Sequence, residues 1–428
     1  MRVMVIGAYG LLGGYVTARL VADGHHVIGV GRDVAAAARR FPSVRWVGAD
    51  LRRTTEAQWV ELLDGVDAVV NCAGALQDSP RDNLRAIHVD LVTAMAHACQ
   101  SAGVRRFVQI SAAGVERDID DFQRTKHAAD DALRTSDLDW IIVRPGLVIA
   151  PAAYGGSALL RGLAAFPLAT PAVCAAAPVQ VVSVDDVTEA VARCLITATP
   201  RFVCDLVCAE PTRLADILVT LRAWLGLPPA GVVELPGWAG TLAAAAADGL
   251  AWLGWRSPLR STAMRQLAAG VLGRAEDAQQ RLRFSPLNLS QTLARWPSGV
   301  QERWFARLYF LKPLALAILA AFWAASGVLG FLRRDEAGSA LIGAGMNSSL
   351  ASALVLCGSA LDLALAALTC VRATARMALA SMILVTLAYL IAASLWAPGL
   401  WLDPLGPLVK SLPAAVLALA ALAMMDER

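Results

Sequence analysis

The amino-terminal stretch alternates between an uninterrupted apolar run and apolar residues at helical spacing. Residues 3–6 are all apolar, as expected for a strand with both faces buried in a parallel sheet. Apolar residues then recur at helical spacing over residues 11–21, and Asp23 and Gly24 end that helix. Residues 26–30 form a second apolar run. The pattern predicts a βαβ unit.

The same alternation continues along the first third of the chain. Apolar runs at residues 44–47, 66–70, 106–110 and 140–143 predict further strands, and residues 84–101 predict a helix that Gly103 ends. Strands that alternate with helices are typical of a doubly wound, Rossmann-like parallel sheet of the α/β class. In such a sheet the ligand lies across the carboxyl ends of the strands.

A glycine-rich turn joins the first predicted strand to its helix. Gly7 permits a tight reversal, Gly10 lets a pyrophosphate approach the backbone, and Gly13 lets the helix pack closely on the sheet. The unpaired N–H groups at the helix start would then face the phosphates. This context predicts dinucleotide binding by residues 1–150. The other turn residues that we assign to the cofactor are Tyr9, Leu11 and Leu12.

The ends of the next strands carry further candidate cofactor-binding residues. After the second strand, a carboxylate would hydrogen-bond the adenosine ribose of NAD, whereas an arginine would accommodate the 2′-phosphate of NADP. Arg32 comes first and favours NADP(H), while Asp33 keeps NAD(H) open. Asp50 and Leu51 follow the third strand, where an acidic side chain can meet the adenine amino group. The fourth strand is followed by Cys72, Ala73 and Gly74.

Composition divides the chain into two parts. A chain of 428 residues is too long for one hydrophobic core. Its mean hydropathy of +0.54 is higher than expected for a soluble enzyme. Charged residues are nevertheless frequent up to Arg307 and become rare only after it. A net charge of +3 without a basic, aromatic-studded stripe argues against a nucleic-acid partner.

Cysteine spacing and the start of the chain bear on metals and location. The eight cysteines contain no C-x-x-C pair and the histidines are not grouped with them, so no metal site is predicted. Met1 and Arg2 lead directly into a strand, so we expect no signal peptide and folding in the reducing cytoplasm.

The last quarter of the chain has the pattern of a membrane domain. Apolar runs at residues 311–332, 350–371, 377–397 and 405–425 each approach the roughly 20 residues that a bilayer requires. They predict an all-α, four-helix transmembrane bundle over residues 308–428. The positive-inside rule favours both termini in the cytoplasm of a bacterial-type inner membrane. The flanking residues counted as inside are Arg295, Arg303, Arg307, Lys312, Arg372, Arg376 and Arg428, and those outside are Arg333, Arg334 and Lys410.

Residues 151–300 are expected to form a smaller lobe on the substrate side. Residues 212–225 predict an amphipathic helix, and Asp185 is interpreted as a helix cap. Residues 237–255 are alanine-rich with tryptophans near both ends, which is typical of a membrane-surface or lid helix, with a buried core helix as the alternative. Three arginines that could meet anionic headgroups follow: Arg256, Arg260 and Arg265.

Several motifs together resemble the short-chain dehydrogenase/reductase superfamily. Their order carries the resemblance: the three glycines, Asn71 with Ala73 and Gly74, Ser111, Lys126, Arg144-Pro145-Gly146 and residues 182–187. The chain is most similar to the extended and atypical branch, which includes the NmrA-like redox sensors and the nucleotide-binding accessory subunit of respiratory complex I. The resemblance covers roughly residues 1–230 and adds Pro145 to the cofactor-binding residues.

The family's catalytic Tyr-x-x-x-Lys pair is incomplete. The matching register places Phe122 and Lys126 on one helical face. The resemblance implies that the missing phenol would exchange the proton at the substrate oxygen while Lys126 holds the nicotinamide ribose. Ser111 could hold a carbonyl or be a plain strand-end serine, and Tyr154 could replace the phenol or be a packing residue.

The membrane quarter resembles DoxX-like proteins, some of which accompany quinone-linked enzymes. Residues 322–327 and 403–413 carry this resemblance. It implies that the domain lies near redox proteins in the membrane. Asp362 lies near the middle of the second predicted span. A carboxylate there is either functional or a helix-to-helix hydrogen-bonding group, with Asn347, Ser352 or Ser359 as candidate partners.

Three functions remain open from the sequence. The first is a membrane-anchored NAD(P)H oxidoreductase that acts on a quinone-like or lipid-like small molecule reaching it from the bilayer. The second is a non-catalytic NADP(H)-binding redox sensor or an assembly factor for a respiratory-chain or other membrane redox protein. The third and weakest is a sugar-nucleotide epimerase or dehydratase, because those enzymes would also need the tyrosine.

Overall fold

The computed structural model describes residues 1–79, 82–404 and 406–426. They form two compact units. Unit 1 comprises Met1–Asp248 and Ser257–Ala306, and unit 2 comprises Gly249–Arg256 and the described residues from Arg307 onward. Leu405, in the last predicted span, and Arg428, in the charge count, lie outside the described residues.

The strands of unit 1 are short and mostly buried. In chain order they are β1 (Arg2–Ile6), β2 (His26–Gly31), β3 (Arg45–Gly48), β4 (Ala68–Asn71), β5 (Arg106–Ile110), β6 (Asp139–Pro145), β7 (Leu147–Ile149), β8 (Thr170–Ala172), β9 (Pro178–Val179), β10 (Val181–Ser183), β11 (Phe202–Leu206), β12 (Thr212–Arg213) and β13 (Val232–Glu234).

The helices divide between the two units. Those that lie in unit 1 or begin there before residue 300 are α1 (Leu11–Ala22), α2 (Ala35–Arg40), α3 (Glu56–Leu62), α4 (Leu91–Ala102), α5 (Asp121–Arg134), α6 (Gly155–Ala164), α7 (Val184–Ile196), α8 (Leu214–Trp224), α9 (Gly237–Trp252), α10 (Ser261–Ala269) and α11 (Leu289–Arg295). Then follow α12 (Val300–Leu332), α13 (Arg334–Gly343), α14 (Ser348–Cys370), α15 (Arg372–Trp396) and α16 (Pro407–Ala423). Helices α9 and α12 each begin in unit 1 and end in unit 2.

Unit 1 is built on a seven-stranded parallel sheet in the order β11-β6-β5-β4-β1-β2-β3. The strand order reverses at β1, which lies between β2 and β4, so the predicted doubly wound, Rossmann-like fold is confirmed. The prediction had six strands and missed β11, which extends the sheet beyond β6. The switch point beside β1 is where a ligand is expected to bind.

The apolar side chains of β1 pack into the hydrophobic clusters on both faces of the sheet. Val3 and Val5 pack into one hydrophobic cluster, and Met4 and Ile6 pack into the cluster on the other face. All four side chains are fully buried. A strand covered on both faces requires apolar residues at every position, which is why this segment does not alternate with polar residues.

Two local predictions for the smaller lobe are corrected by the structure. The cap of α7 is Ser183, whose hydroxyl accepts a hydrogen bond from the amide of Asp186 at 2.9 Å, so the assignment of the cap to Asp185 is wrong. Arg260 forms an ion pair with Asp248 at 3.0 Å, and only 12% of its side chain is exposed. The Arg260 guanidinium is therefore paired with Asp248 and mostly buried, so it is not available to bind anionic headgroups.

Unit 2 contains three helices that are long and apolar enough to cross a bilayer, among the residues that the structure describes. They are α12, α14 and α15, of 33, 23 and 25 residues. The predicted fourth span corresponds to α16, which is apolar but has only 17 residues. At 1.5 Å per residue, α16 is about 26 Å long, less than the roughly 30 Å hydrocarbon core. The helix that contains the first predicted span is also longer than predicted, because α12 begins at Val300 and continues through Pro313.

Candidate cofactor-binding and active site

The glycine turn leaves backbone amides open at the start of α1. Gly7 adopts a φ of +71°, and the amide of Gly10 donates to the carbonyl oxygen of Gly7 at 2.8 Å. Gly10 caps α1 without a side-chain hydrogen bond. The N–H groups of Leu11, Leu12 and Gly13 therefore have no intrahelical acceptor, which is the arrangement that binds phosphate.

Two of the glycines are required by close backbone contacts. A Cβ on Gly13 would lie 2.1 Å from the carbonyl oxygen of Gly7, and a Cβ on Gly7 would lie 3.1 Å from the backbone of Ala73. The turn is thus held against α1 on one side and the end of β4 on the other. This cradle fits a dinucleotide pyrophosphate.

Tyr9 covers the end of β2. Its ring lies against Gly31, where an added Cβ would come within 2.1 Å of the ring carbon Cε1. Its hydroxyl accepts hydrogen bonds from the amides of Arg32 at 3.2 Å and Asp33 at 3.4 Å. The sequence placed Tyr9 in the turn but gave no sign of this contact, because it joins residues from two separate elements.

The charged residues around the adenosine end have partners of their own. The Arg32 guanidinium forms an ion pair with Asp82 at 3.1 Å. Asp50 accepts from the Arg52 guanidinium at 2.9 Å, and this hydrogen bond holds the pKa of Asp50 low, at about 2. Asp50 is therefore ionised at neutral pH, and its oxygens can accept a hydrogen bond from an adenine amino group. Leu51 is partly buried against the cluster on one face of the sheet.

The end of β4 is shaped by a pair of buried amides. The side chain of Asn71 donates to Gln109 at 2.9 Å and accepts from the amide of Ala73 at 3.0 Å. This fixes the turn that leads to Gly74. Cys72 is partly buried, and burial raises the pKa of its thiol to about 12, so it is not a nucleophile at neutral pH.

Lys126 reaches the ends of both β4 and β5 from α5. Its ammonium group donates to the carbonyl oxygens of Ile110 at 2.9 Å and Ala73 at 3.4 Å. The residue is only 5% exposed, and burial lowers its pKa to about 8. An ammonium has three N–H donors, so one remains for a ribose hydroxyl beside Gly74.

The space of the missing phenol is lined by Phe122 and His88. Their rings meet edge to face at a centroid distance of 5.6 Å. Burial and the nearby Lys126 hold the pKa of His88 low, at about 2, so the imidazole is neutral. Its Nε2 accepts from the amide of Ala75, so the proton is on Nδ1, 2.8 Å from the Thr125 hydroxyl. Neither ring offers a proton to a substrate oxygen.

Ser111 belongs to a buried ionic network. Its hydroxyl donates to Asp130 at 2.9 Å, and Asp130 forms an ion pair with Arg144 at 2.8 Å. Arg144 also pairs with Glu116. The side chains of Asp130 and Arg144 are 0% and 1% exposed. The predicted role of Ser111 as a carbonyl donor would require this hydroxyl to leave Asp130.

Two other predicted residues lie at element ends. Pro145 is buried at the end of β6, and its carbonyl oxygen accepts from the amide of Ala113 at 2.9 Å. Tyr154 immediately precedes α6 and is 42% exposed. Sequence reasoning did not identify His88, Asp130 or Gln109 as site residues. Their positions in the site depend on long-range contacts, which no local motif indicates.

Comparison with known families agrees with this geometry. Residues 7–196 match a family described as NAD(P)H-binding, and residues 320–419 match the DoxX-like family. The chain therefore combines an NAD(P)H-binding domain with a DoxX-like domain, as the two predicted resemblances implied. The DoxX-like match and the three apolar helices indicate membrane association.

Curated relatives match only part of the chain. Ceramide reductase of Caulobacter vibrioides is 30% identical over 154 residues, which are 36% of this chain and 46% of that protein. An uncharacterized protein of Mycobacterium tuberculosis is 29% identical over 199 residues, 46% of this chain and 20% of that protein. The chain thus spans less than half of the length of either relative.

Solved structures resemble unit 1 in fold. UDP-glucuronic acid 4-epimerase from Bacillus cereus, in complex with UDP-glucuronic acid and NAD, aligns with this chain at a TM-score of 0.54 and 16% identity. The alignment covers 72% of this chain and 100% of the epimerase chain. A dTDP-glucose 4,6-dehydratase from Streptomyces venezuelae with NAD has a TM-score of 0.52 at 18% identity, covering 69% and 96%. These similarities establish an extended Rossmann-type fold, but they do not show that this chain has the activity of either enzyme.

Proposed function

We propose that this chain is an NAD(P)H-dependent oxidoreductase whose substrate is a quinone-like molecule dissolved in the membrane. The observation that carries the proposal is Phe122, which stands one helical turn before Lys126 where a catalytic phenol would stand. The site supports cofactor binding through the glycine turn and Lys126, and among the described residues neither Phe122 nor His88 supplies a proton at the position of the missing phenol.

The missing donor favours one class of acceptor. Bound NAD(P)H supplies a hydride. Hydride addition to a ketone leaves an alkoxide, which is about as basic as hydroxide, the conjugate base of water with its pKa of about 15.7. Addition to a quinone leaves a phenolate, and phenols such as tyrosine have a pKa of about 10. A quinone can therefore be reduced first and take its proton from water afterwards.

A membrane-dissolved substrate is supported by the surface of the smaller lobe. Leu168, Trp238 and Leu242 are 93%, 68% and 63% exposed. Exposed tryptophans are typical of surfaces that contact the lipid headgroup region. The name of the Caulobacter relative also points to a lipid substrate. We place unit 1 on the cytoplasmic side of a bacterial-type inner membrane, as the Lys and Arg distribution favours.

The test is NADPH oxidation by the full chain in lipid nanodiscs. We expect turnover with a short-chain quinone and little with a ketone of similar size. An NADPH-binding protein that turns over neither substrate would overturn the proposal. Calorimetric titration with NADPH is the control, since it separates loss of cofactor binding from loss of chemistry.

The second candidate is a non-catalytic redox sensor or an assembly factor for a membrane redox protein. Ser111 favours it, because its hydroxyl donates to the buried Asp130 and would have to leave that carboxylate to hold a substrate. Binding of NADPH without turnover of any acceptor is the result that this candidate predicts.

Arg32 is proposed to select NADPH over NADH. The substitution Arg32→Gln removes the cation that would pair with the 2′-phosphate, and hydrogen bonds to charged groups contribute about 1.5–3 kcal/mol. We expect the Kd for NADPH to rise about tenfold to 100-fold and the Kd for NADH to stay within about twofold. Titration calorimetry measures both.

The matched control is Asp82→Asn, which removes the carboxylate that pairs with Arg32. NADPH should bind this variant at least as tightly as the unaltered chain. Equal losses for NADPH and NADH in Arg32→Gln would show that Arg32 does not recognise the 2′-phosphate.

A further inference from the structure

A carboxylate is enclosed among the long helices of unit 2. Asp362 lies on α14 and is 5% exposed. One of its oxygens accepts from the Ser326 hydroxyl of α12 at 2.6 Å, and the other accepts from the Tyr389 hydroxyl of α15 at 3.4 Å. Its partners thus come from two other helices, and they differ from the predicted Asn347, Ser352 and Ser359.

Glycines bring the neighbouring backbones close to this carboxylate. A Cβ on Gly327 would lie 2.7 Å from the carbonyl oxygen of Ser359, and one on Gly330 would lie 2.2 Å from the Ser359 hydroxyl. A Cβ on Gly358 would lie 3.1 Å from the Tyr389 hydroxyl. The surroundings of Asp362 are therefore tightly packed where α12 and Tyr389 approach α14.

The described residues provide Asp362 with hydroxyl partners but no ion pair. Tyr389 is the titratable group that contacts it. Apart from Asp362, the charged residues of the helices in unit 2 lie at or near the ends of the apolar stretches. They are Arg307 and Lys312 on α12, Arg334, Asp335 and Glu336 on α13, Arg372 and Arg376 on α15, and Lys410 on α16. An ionised carboxylate enclosed in this way would be costly, whereas its protonated form is not.

We infer that Asp362, with Ser326 and Tyr389, forms a proton-binding site within unit 2. A proton from water forms an O–H bond with one carboxylate oxygen, and release returns it to water. No electron moves in this step. The two hydroxyls orient the carboxyl group and stabilise the ionised form by donating to it. The site is independent of the reaction proposed for unit 1.

The test is reaction with dicyclohexylcarbodiimide, which adds to protonated carboxyl groups in apolar surroundings. The full chain in nanodiscs is treated across a pH series, and labelling of the peptide that contains Asp362 is measured by mass spectrometry. We expect labelling at acidic pH and a fall of about tenfold per pH unit on the alkaline side of a midpoint. Asp362 that stays unlabelled at every pH would overturn the inference.

Variants separate proton binding from a structural hydrogen bond. Asp362→Asn keeps an oxygen acceptor for Ser326 and should retain the thermal unfolding temperature while losing all labelling at this peptide. Tyr389→Phe removes a donor to the ionised form and should move the labelling midpoint to higher pH. Labelling at the peptide that persists in Asp362→Asn, or a midpoint that Tyr389→Phe leaves unchanged, would contradict the assignment.

Discussion

Phe122→Tyr is expected to raise the ketone reductase activity of the chain. The new phenol would stand one turn before Lys126, whose ammonium donates to the carbonyl oxygen of Ile110 at 2.9 Å and is held in place by burial. A positioned proton donor contributes typically about 10²–10⁴-fold to such a step. We expect NADPH oxidation with a lipid-soluble ketone to rise by that factor, measured by absorbance in nanodiscs.

The control for this prediction is Phe122→Leu, which keeps the position apolar and adds no hydroxyl. It should leave ketone turnover at the level of the unaltered chain. Quinone turnover should change little in Phe122→Tyr, because that reaction does not depend on a donor at this position. A tyrosine variant with no gain on any ketone would mean that Phe122 does not mark the site of proton transfer.

Gly13→Ala is expected to weaken NADPH binding about tenfold to 100-fold. The added Cβ would lie 2.1 Å from the carbonyl oxygen of Gly7, so either α1 or the turn must move. Forced overpacking costs about 1–3 kcal/mol, which is about fivefold to 150-fold in Kd, and the expected loss lies within that range when the movement displaces the phosphate-binding amides. Titration calorimetry with NADPH measures the loss.

The adjacent Gly14 provides a matched control. A Cβ at Gly14 would lie 3.8 Å from the carbonyl oxygen of Ala8, which is an ordinary contact. Gly14→Ala should therefore bind NADPH as the unaltered chain does. If the two variants bound NADPH equally well, the turn at Gly13 would not be the phosphate site.

Sequence reasoning predicted those features that are determined by residues close together in the chain. The run over β1 and the glycines that follow it are contiguous, so their spacing alone predicts the turn, the helix and the dinucleotide site. The position of Lys126 follows from helical register after β5. These features depend on neighbours within one or two elements, which periodicity and backbone sterics describe well.

Other features depend on contacts between distant segments. Strand β11 is short and separated from β6 by α6, α7 and several small strands, so its pairing was not visible in the sequence. His88 lines the site only because the helical segment before α4 packs beside α5. The partners of Asp362 were missed for the same reason, because helical register within α14 says nothing about which residues of α12 and α15 face it.

The ion pair between Asp130 and Arg144 ties the chemistry of unit 1 to its folding. Removing one member of a buried pair typically costs about 3–5 kcal/mol, a large share of the roughly 5–15 kcal/mol that keeps a domain folded. Ser111 hydrogen-bonds directly to this pair. A substitution at Ser111 would therefore remove a hydrogen bond from this buried pair and lower the stability of unit 1, in addition to changing any contact with a substrate.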